Sequence, residues 1–152
     1  MADATAAMEI ALEEARLAGA RGEVPVGAVV LGPDGAVLAR DGNRTEAASD
    51  ASAHAELLVL RAAARQRGAP RLEGCDLVVT LEPCPMCASA ISLFRIRLLV
   101  FGAYDPKGGG VEHGARIFAA ASCLHRPEVI GGVHEREAGE VLRQFFRELR
   151  AS

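Results

Sequence analysis

DLVVTLEPCPMCASAISLFRIRLLVFGAY, from Asp76 to Tyr104, decides how this chain is read. Its two ends, Asp76–Leu81 and Arg97–Tyr104, are short runs rich in Val and Leu, the composition of buried strands. Between them PCPMCASAISLFRI carries Pro85 where the first turn of a helix tolerates proline, because the amide that proline lacks would have no partner there. The stretch therefore reads strand, helix, strand.

Upstream of it, Ala53–Arg67 is rich in Ala, Leu and Arg, follows the candidate cap Ser52 and stops at Gly68 and Pro70, which predicts a helix. VGAVVL (Val26–Leu31), the turn residues Gly32, Pro33, Asp34 and Gly35, then AVLAR (Ala36–Arg40) predict a β-hairpin, with DGNRTEAASDAS a polar loop beyond it. Nearer the start, Met8, Ile10, Ala11, Leu12, Ala15 and Ala18 recur at helical spacing before Gly19 and Gly22. Downstream, Gly108, Gly109 and Gly110 require a loop. Helical patterning then returns weakly over Ala115–Ala121 and strongly over Glu135–Arg150, where Leu142, Phe145, Phe146 and Leu149 make one apolar face. Strands alternating with helices predict one domain over residues 1–152, a three-layer α/β/α sandwich whose central mixed sheet of about five strands is opened by the hairpin.

Half of the 152 residues are hydrophobic and 24% are charged, with 17 basic against 20 acidic side chains and a net charge of −3. That composition folds, and its charge balance offers no general attraction to phosphate, so any nucleic-acid contact has to be local. One Tyr, five Phe and no Trp leave few rings for stacking bases. No apolar run is long enough to span a membrane, and the first twenty residues match neither a secretory signal nor a basic transit peptide, so the expected location is the cytoplasm. Four cysteines in such a chain point to metal or redox chemistry over disulfides.

The chemistry concentrates in SAHAEL and TLEPCPMCAS. Cys84 and Cys87 share one helical face, so two thiolates can meet one zinc ion at about 2.3 Å, and His54 can add a nitrogen at about 2.0 Å. Three protein ligands leave the fourth position open to water, which separates a catalytic zinc from a structural one. Cys75, Cys123, His113, His125 and His134 lack the spacing to join the two cysteines. Glu56 is the candidate proton carrier, first base and then acid. Residues i and i+2 of a regular helix face different ways, so His54 and Glu56 converge only if His54 sits at or near the cap. A Cys-x-x-Cys alone would suit a redox pair or a structural zinc site as well. The prolines and the upstream His-x-Glu turn it into the signature of the zinc nucleobase deaminases. Arg136, Arg143, Arg147 and Arg150 stripe the last helix around Glu140, a pattern that reads equally as a solvated face or an RNA contact. The AISLF segment suits either packing on the sheet or a subunit contact.

Taken in order, EVPVGAVV, GNR, AHAE, TLEPCPMC, VFGAYDPKGG and FFRELR span nearly the whole chain and resemble the bacterial tRNA-specific adenosine deaminases. The resemblance implies a cytidine deaminase-like fold, one zinc ion per subunit, a homodimer, and hydrolytic conversion of adenosine to inosine at the wobble position of a tRNA anticodon arm. It implies that His54, Cys84 and Cys87 bind zinc, that Glu56 shuttles protons, and that Asn43, Asp105 and Phe146 contact the RNA. Tyr104 and the segment VEHGARIF depart from the family pattern beside these positions. The alternative that uses the same catalytic residues is a zinc deaminase of a free base or nucleoside, such as guanine, cytosine or cytidine. A rim that is open and basic favours RNA, whereas a lid favours a small molecule.

Overall fold

The computed structural model describes residues 3–152, which form four helices and five strands. In chain order these are α1 (Ala4–Ala20), β1 (Gly27–Leu31), β2 (Val37–Gly42), α2 (Ala55–Arg67), β3 (Asp76–Leu81), α3 (Pro85–Leu93), β4 (Leu98–Ala103), β5 (Glu128–Ile130) and α4 (Glu135–Ala151). The sheet order is β2-β1-β3-β4-β5. β1 is antiparallel to both β2 and β3, while β3, β4 and β5 run parallel. A mixed sheet opened by a hairpin is thus the observed architecture.

Alternation along the central strands divides the core into two. Ala28, Val30, Leu77, Val79, Leu99 and Phe101 pack with α2 and α3 on one face, against Leu60, Ala63, Ala88 and Ile91. Val29, Leu31, Val78, Leu98 and Val100 pack on the other face with Met8, Ala11 and Leu12 of α1 and Ala138 of α4. Both faces of the sheet are covered, which is why its inner strands read as continuous apolar runs.

The approach of α1 to β1 is set by Gly27. A Cβ there would overlap the Ala11 carbonyl oxygen and lie 2.5 Å from the Ala15 nitrogen, so the helix can rest on the strand backbone only over a glycine.

Several expected boundaries shift. α2 begins at Ala55, its N-cap is His54, and Ser52 instead bonds the Asp50 carboxylate through its amide and hydroxyl at 2.9 and 2.7 Å. Donating to Asp50 in a local turn, the Ser52 hydroxyl belongs to the loop before the helix and not to its N-terminus. The weak patterning over Ala115–Ala121 yields one 3₁₀ turn, Ile117–Ala119, which buries Phe118. On α4 the apolar face is only partly covered. Ala138 is the buried residue of the helix, Leu142 and Phe145 are half-buried, and Phe146 and Leu149 are 40% and 58% exposed. The helix meets β4, β3 and α1, with Ala138 and Val141 in the core on the α1 side of the sheet and Phe145 beside Gly19 and Ala20.

Gly27→Ala is expected to destabilise the protein by about 3 kcal/mol, because the clash is with backbone that cannot rotate away. Urea unfolding of the purified variant measures it, and a midpoint equal to wild type would contradict this reading of the α1 contact.

Candidate active site

β3 and β4 both end on one side of the sheet, and α2 and α3 begin there. β3 leaves through Glu82 and Pro83 to Cys84, the N-cap of α3, while His54 is the N-cap of α2. Both caps have extended backbone and neither makes a side-chain capping bond. Two helix N-termini with their positive dipole ends therefore face one point, a setting that favours thiolate sulfur.

His54 Nδ1 lies 3.6 Å from Cys84 Sγ and 3.6 Å from Cys87 Sγ. All three donor atoms fall within 4.8 Å of one another. Bonds of about 2.3 Å to sulfur and about 2.0 Å to nitrogen, meeting at a tetrahedral angle, put the two donors about 3.6 Å apart. Separation and donor chemistry both fit zinc.

Charge is distributed unequally over the pair. Cys84 is pulled down to about 4, chiefly by the hydrogen bond from Cys87, with His54 assisting against burial. Cys87, wholly buried and donating to that thiolate, is pushed up. His54 is raised by its bond to Cys84. A divalent ion held by His54, Cys84 and Cys87 would displace the remaining thiol proton, which would couple its binding to proton release.

Glu56 stands in the first turn of α2 and is 4% exposed. Burial first, and then the negative Cys84, raise its carboxyl to about 7, while its own amide and His54 oppose the shift. A carboxyl balanced near neutrality can both take and return a proton. His54 at the cap, outside the regular helix, is the arrangement that lets an i, i+2 pair share one site.

Asn43, His54, Glu56, Cys84 and Asp105 line one cleft of about 370 Å³, with Val24, Val26, Thr45, Leu81, Glu82 and Gly108. Asn43 Oδ1 accepts the Ala55 amide at 2.8 Å and so caps α2 in place of Ser52. This fixes which way the amide points and leaves its NH₂ for the cleft. Asp105 Oδ1 accepts the amides of Lys107 and Gly108 at 3.2 and 2.9 Å, closing a turn at the rim.

Phe146 is not in this cleft. It lies on α4 beside Leu142, Arg143, Arg147 and Arg150, edge-on to Phe145 at 5.3 Å. Glu140 pairs with Arg143 and Arg147 at 3.2 and 2.8 Å, which neutralises part of the stripe. Tyr104 packs edge-on to Phe101 and His113 at 5.1 and 6.1 Å. Val24 and Glu82, inside EVPVGAVV and TLEPC, and Thr45, just after GNR, also line the cleft, and only these segments could have pointed to them.

The family model for the cytidine and deoxycytidylate deaminase zinc-binding region matches residues 1–103. The tRNA-specific adenosine deaminase of Agrobacterium fabrum is 57% identical over 150 residues, 99% of this chain and 98% of that protein. A solved structure from a biochemical and structural study of A-to-I editing by tRNA:A34 deaminases at the wobble position of transfer RNA is 56% identical. It superposes with a TM-score of 0.87 over 89% of this chain and 97% of its own. Guanine deaminase from Nitrosomonas europaea is 25% identical, with a TM-score of 0.83 over 95% of this chain and 85% of that one. Near-identity of length with the Agrobacterium protein, a match to the zinc-binding region and a His-Cys-Cys cluster beside a buried glutamate lead to one assignment: the chain belongs to the tRNA-specific adenosine deaminases.

Proposed function

We propose that the chain hydrolyses adenosine to inosine at the wobble position of a tRNA anticodon, with one zinc ion per subunit held by His54, Cys84 and Cys87. The observation that carries this reading is the buried Glu56 beside that cluster, at the floor of an open cleft, in a chain 57% identical to a tRNA-specific adenosine deaminase. Zinc bound there supplies a Lewis acid that makes water ionise near neutral pH.

The remaining steps belong to the chain's own groups. Glu56 accepts the proton of the attacking water and delivers it to the ring nitrogen next to C6 of adenine. It then carries a second proton to the departing amine, so water and adenosine become inosine and ammonia. Asn43, its oxygen already engaged by Ala55, offers N–H donors to the acceptor nitrogens of the purine edge. The base enters from an anticodon that is already single-stranded, so unstacking it costs only about a few kcal/mol. Asp105 shapes the rim, and Phe146 among Arg143, Arg147 and Arg150 offers a ring for stacking with charge for phosphate.

The chain acts in the cytoplasm, as a homodimer. Leu93 and Leu124 are 71% and 85% exposed around a concavity lined by Ser89, Ser92, Arg95 and Ile117, and a second copy would cover this apolar surface at the AISLF end of α3.

The decisive assay measures inosine and ammonia from an anticodon stem-loop with adenosine at the wobble position, beside free adenosine, guanine and cytidine. Turnover of the stem-loop alone is expected, and turnover of a free base or nucleoside alone would overturn the RNA reading. Glu56→Gln should retain zinc by metal analysis yet lose activity about a hundredfold or more, whereas Cys87→Ala should lose the metal itself. Asn43→Asp keeps the oxygen that caps α2 but removes the donor, so the melting temperature should hold while kcat/KM falls about tenfold. Leu93→Asp should shift the sedimentation coefficient to that of a monomer, and an unchanged value would remove this face from the interface.

A further inference from the structure

Two glutamates outside the metal cluster are almost entirely buried, one beneath each wall of the cleft. Glu23 and Glu82 are both 2% exposed. Among the described residues neither pairs with Lys or Arg, and the one ionic partner is His113, on Glu82. A buried carboxylate without a cation has to be satisfied by hydrogen-bond donors, and both are.

Glu82 Oε1 accepts the Asp105 amide at 3.0 Å and meets His113 Nδ1 at 2.8 Å. Its Oε2 accepts the amides of Val111, Glu112 and His113 at 3.2, 2.8 and 3.0 Å. Glu23 Oε1 accepts the Glu46 amide at 3.1 Å and the Thr45 hydroxyl at 3.3 Å, and Oε2 accepts the Ala47 amide at 2.8 Å. Burial would raise both carboxyls, yet the amides that surround them more than offset it and hold both below the usual carboxylate range.

Each carboxylate spends its acceptors on a single loop. Glu23 gathers 45–47, the segment next to Asn43, and Glu82 gathers both ends of 105–113, which carries Asp105 and Gly108. Apolar anchorage of these loops is confined to Val111, which joins the core at the far end of 105–113. Residues 46–50 and 106–108 are exposed, and Asp105 only extends the grip of Glu82 by turning its own carboxylate onto Lys107 and Gly108. Asn43, Thr45, Asp105 and Gly108 all line the cleft. Without the two carboxylates, 45–47 and the exposed turn 105–108 would be left to short local contacts, since Val111 anchors only the far end of the second loop.

We propose that Glu23 and Glu82 are positioning residues that set the width of the nucleotide cleft, each gripping one wall loop by its backbone amides so that Asn43 and Asp105 meet the substrate from fixed positions. The proposal rests on the deaminase reading for its substrate and on the hydrogen bonds alone for its mechanics. Because the walls touch the bound nucleotide and not the reacting atoms, they act on ground state and transition state alike, and their loss appears in KM.

The test compares Glu23→Gln and Glu82→Gln with Gly109→Ala in the zinc-loaded full-length protein. In Gly109→Ala the added Cβ would stand 2.5 Å from Glu82 Oε2 and 2.6 Å from the Asp105 carbonyl, so the loop lifts while Glu82 stays intact. This variant keeps the test informative if Glu82→Gln fails to fold. Amide hydrogen exchange should quicken about tenfold at residues 46 and 47 in Glu23→Gln alone, and at 105 and 111–113 in the other two alone. KM for the wobble-adenosine stem-loop should rise about tenfold in all three, with kcat within about twofold and zinc content unchanged. Faster exchange at an unaltered KM would reduce the carboxylates to structural supports, and loss of zinc or of kcat at constant KM would place their effect on the metal; either result overturns the proposal. Wild-type protein inert toward the stem-loop would refute the substrate, while the exchange pattern would still decide whether the carboxylates hold the walls.

Discussion

Three donor atoms from segments thirty residues apart have to arrive within 4.8 Å of one another, and most of the structure can be understood as the means of meeting that demand. The solution is to aim two helix N-termini at a common point. α2 and α3 lie side by side on one face of the sheet, and each presents its N-cap residue, His54 or Cys84, at the edge where β3 and β4 end. The parallel pairing of β3 with β4 makes this possible, since a parallel neighbour requires the crossover that α3 provides. Pro85 starts that crossover abruptly, one residue after the first cysteine. Such a centre is only as rigid as the packing of Leu60, Ala63, Ala88 and Ile91 against the strands behind it.

Once the ligands are placed, electrostatics follows from burial. Cys84, Cys87, His54 and Glu56 share one small volume, and the state of each depends on the others. The helix termini stabilise negative sulfur, burial holds the Glu56 carboxyl near neutrality, and Asn43 closes the ring by capping the helix that carries His54 and Glu56. One asparagine thereby links the wall of the cleft to the helix that carries Glu56.

Much of this was legible in the residues. Helical spacing located α1 and α4, and β-rich or helix-forming composition with turn and cap signals located β1, β2, α2, β3, α3 and β4. The spacing of His54, Cys84 and Cys87 indicates a cluster of metal-ligating side chains with Glu56 beside it, and the need for His54 to sit at the cap follows from helix geometry alone. What escaped has physical causes. Ser52 is a good capping residue by type, but Asp50 captures its hydroxyl, a competition settled by three-dimensional geometry. β5 is three residues long with exposed Glu128 and Ile130, too short to carry a period. The roles of Glu23 and Glu82 depend on amides 23 to 31 residues away, and an isolated glutamate in a sequence carries no sign of what surrounds it.

The brevity of β5 has a consequence for how molecules of this protein meet. A sheet ends in unpaired amides and carbonyls that invite strands from other chains, yet here both borders are poor templates. On one side stand only three residues. On the other, β2 carries Arg40 clamped by Glu13 and Glu14 at 3.0 and 2.7 Å, and its pairing with β1 is interrupted by a register shift at Val30/Leu31. Fibrous growth by strand addition is blocked at both borders, and encounters between folded copies are left to helical surfaces.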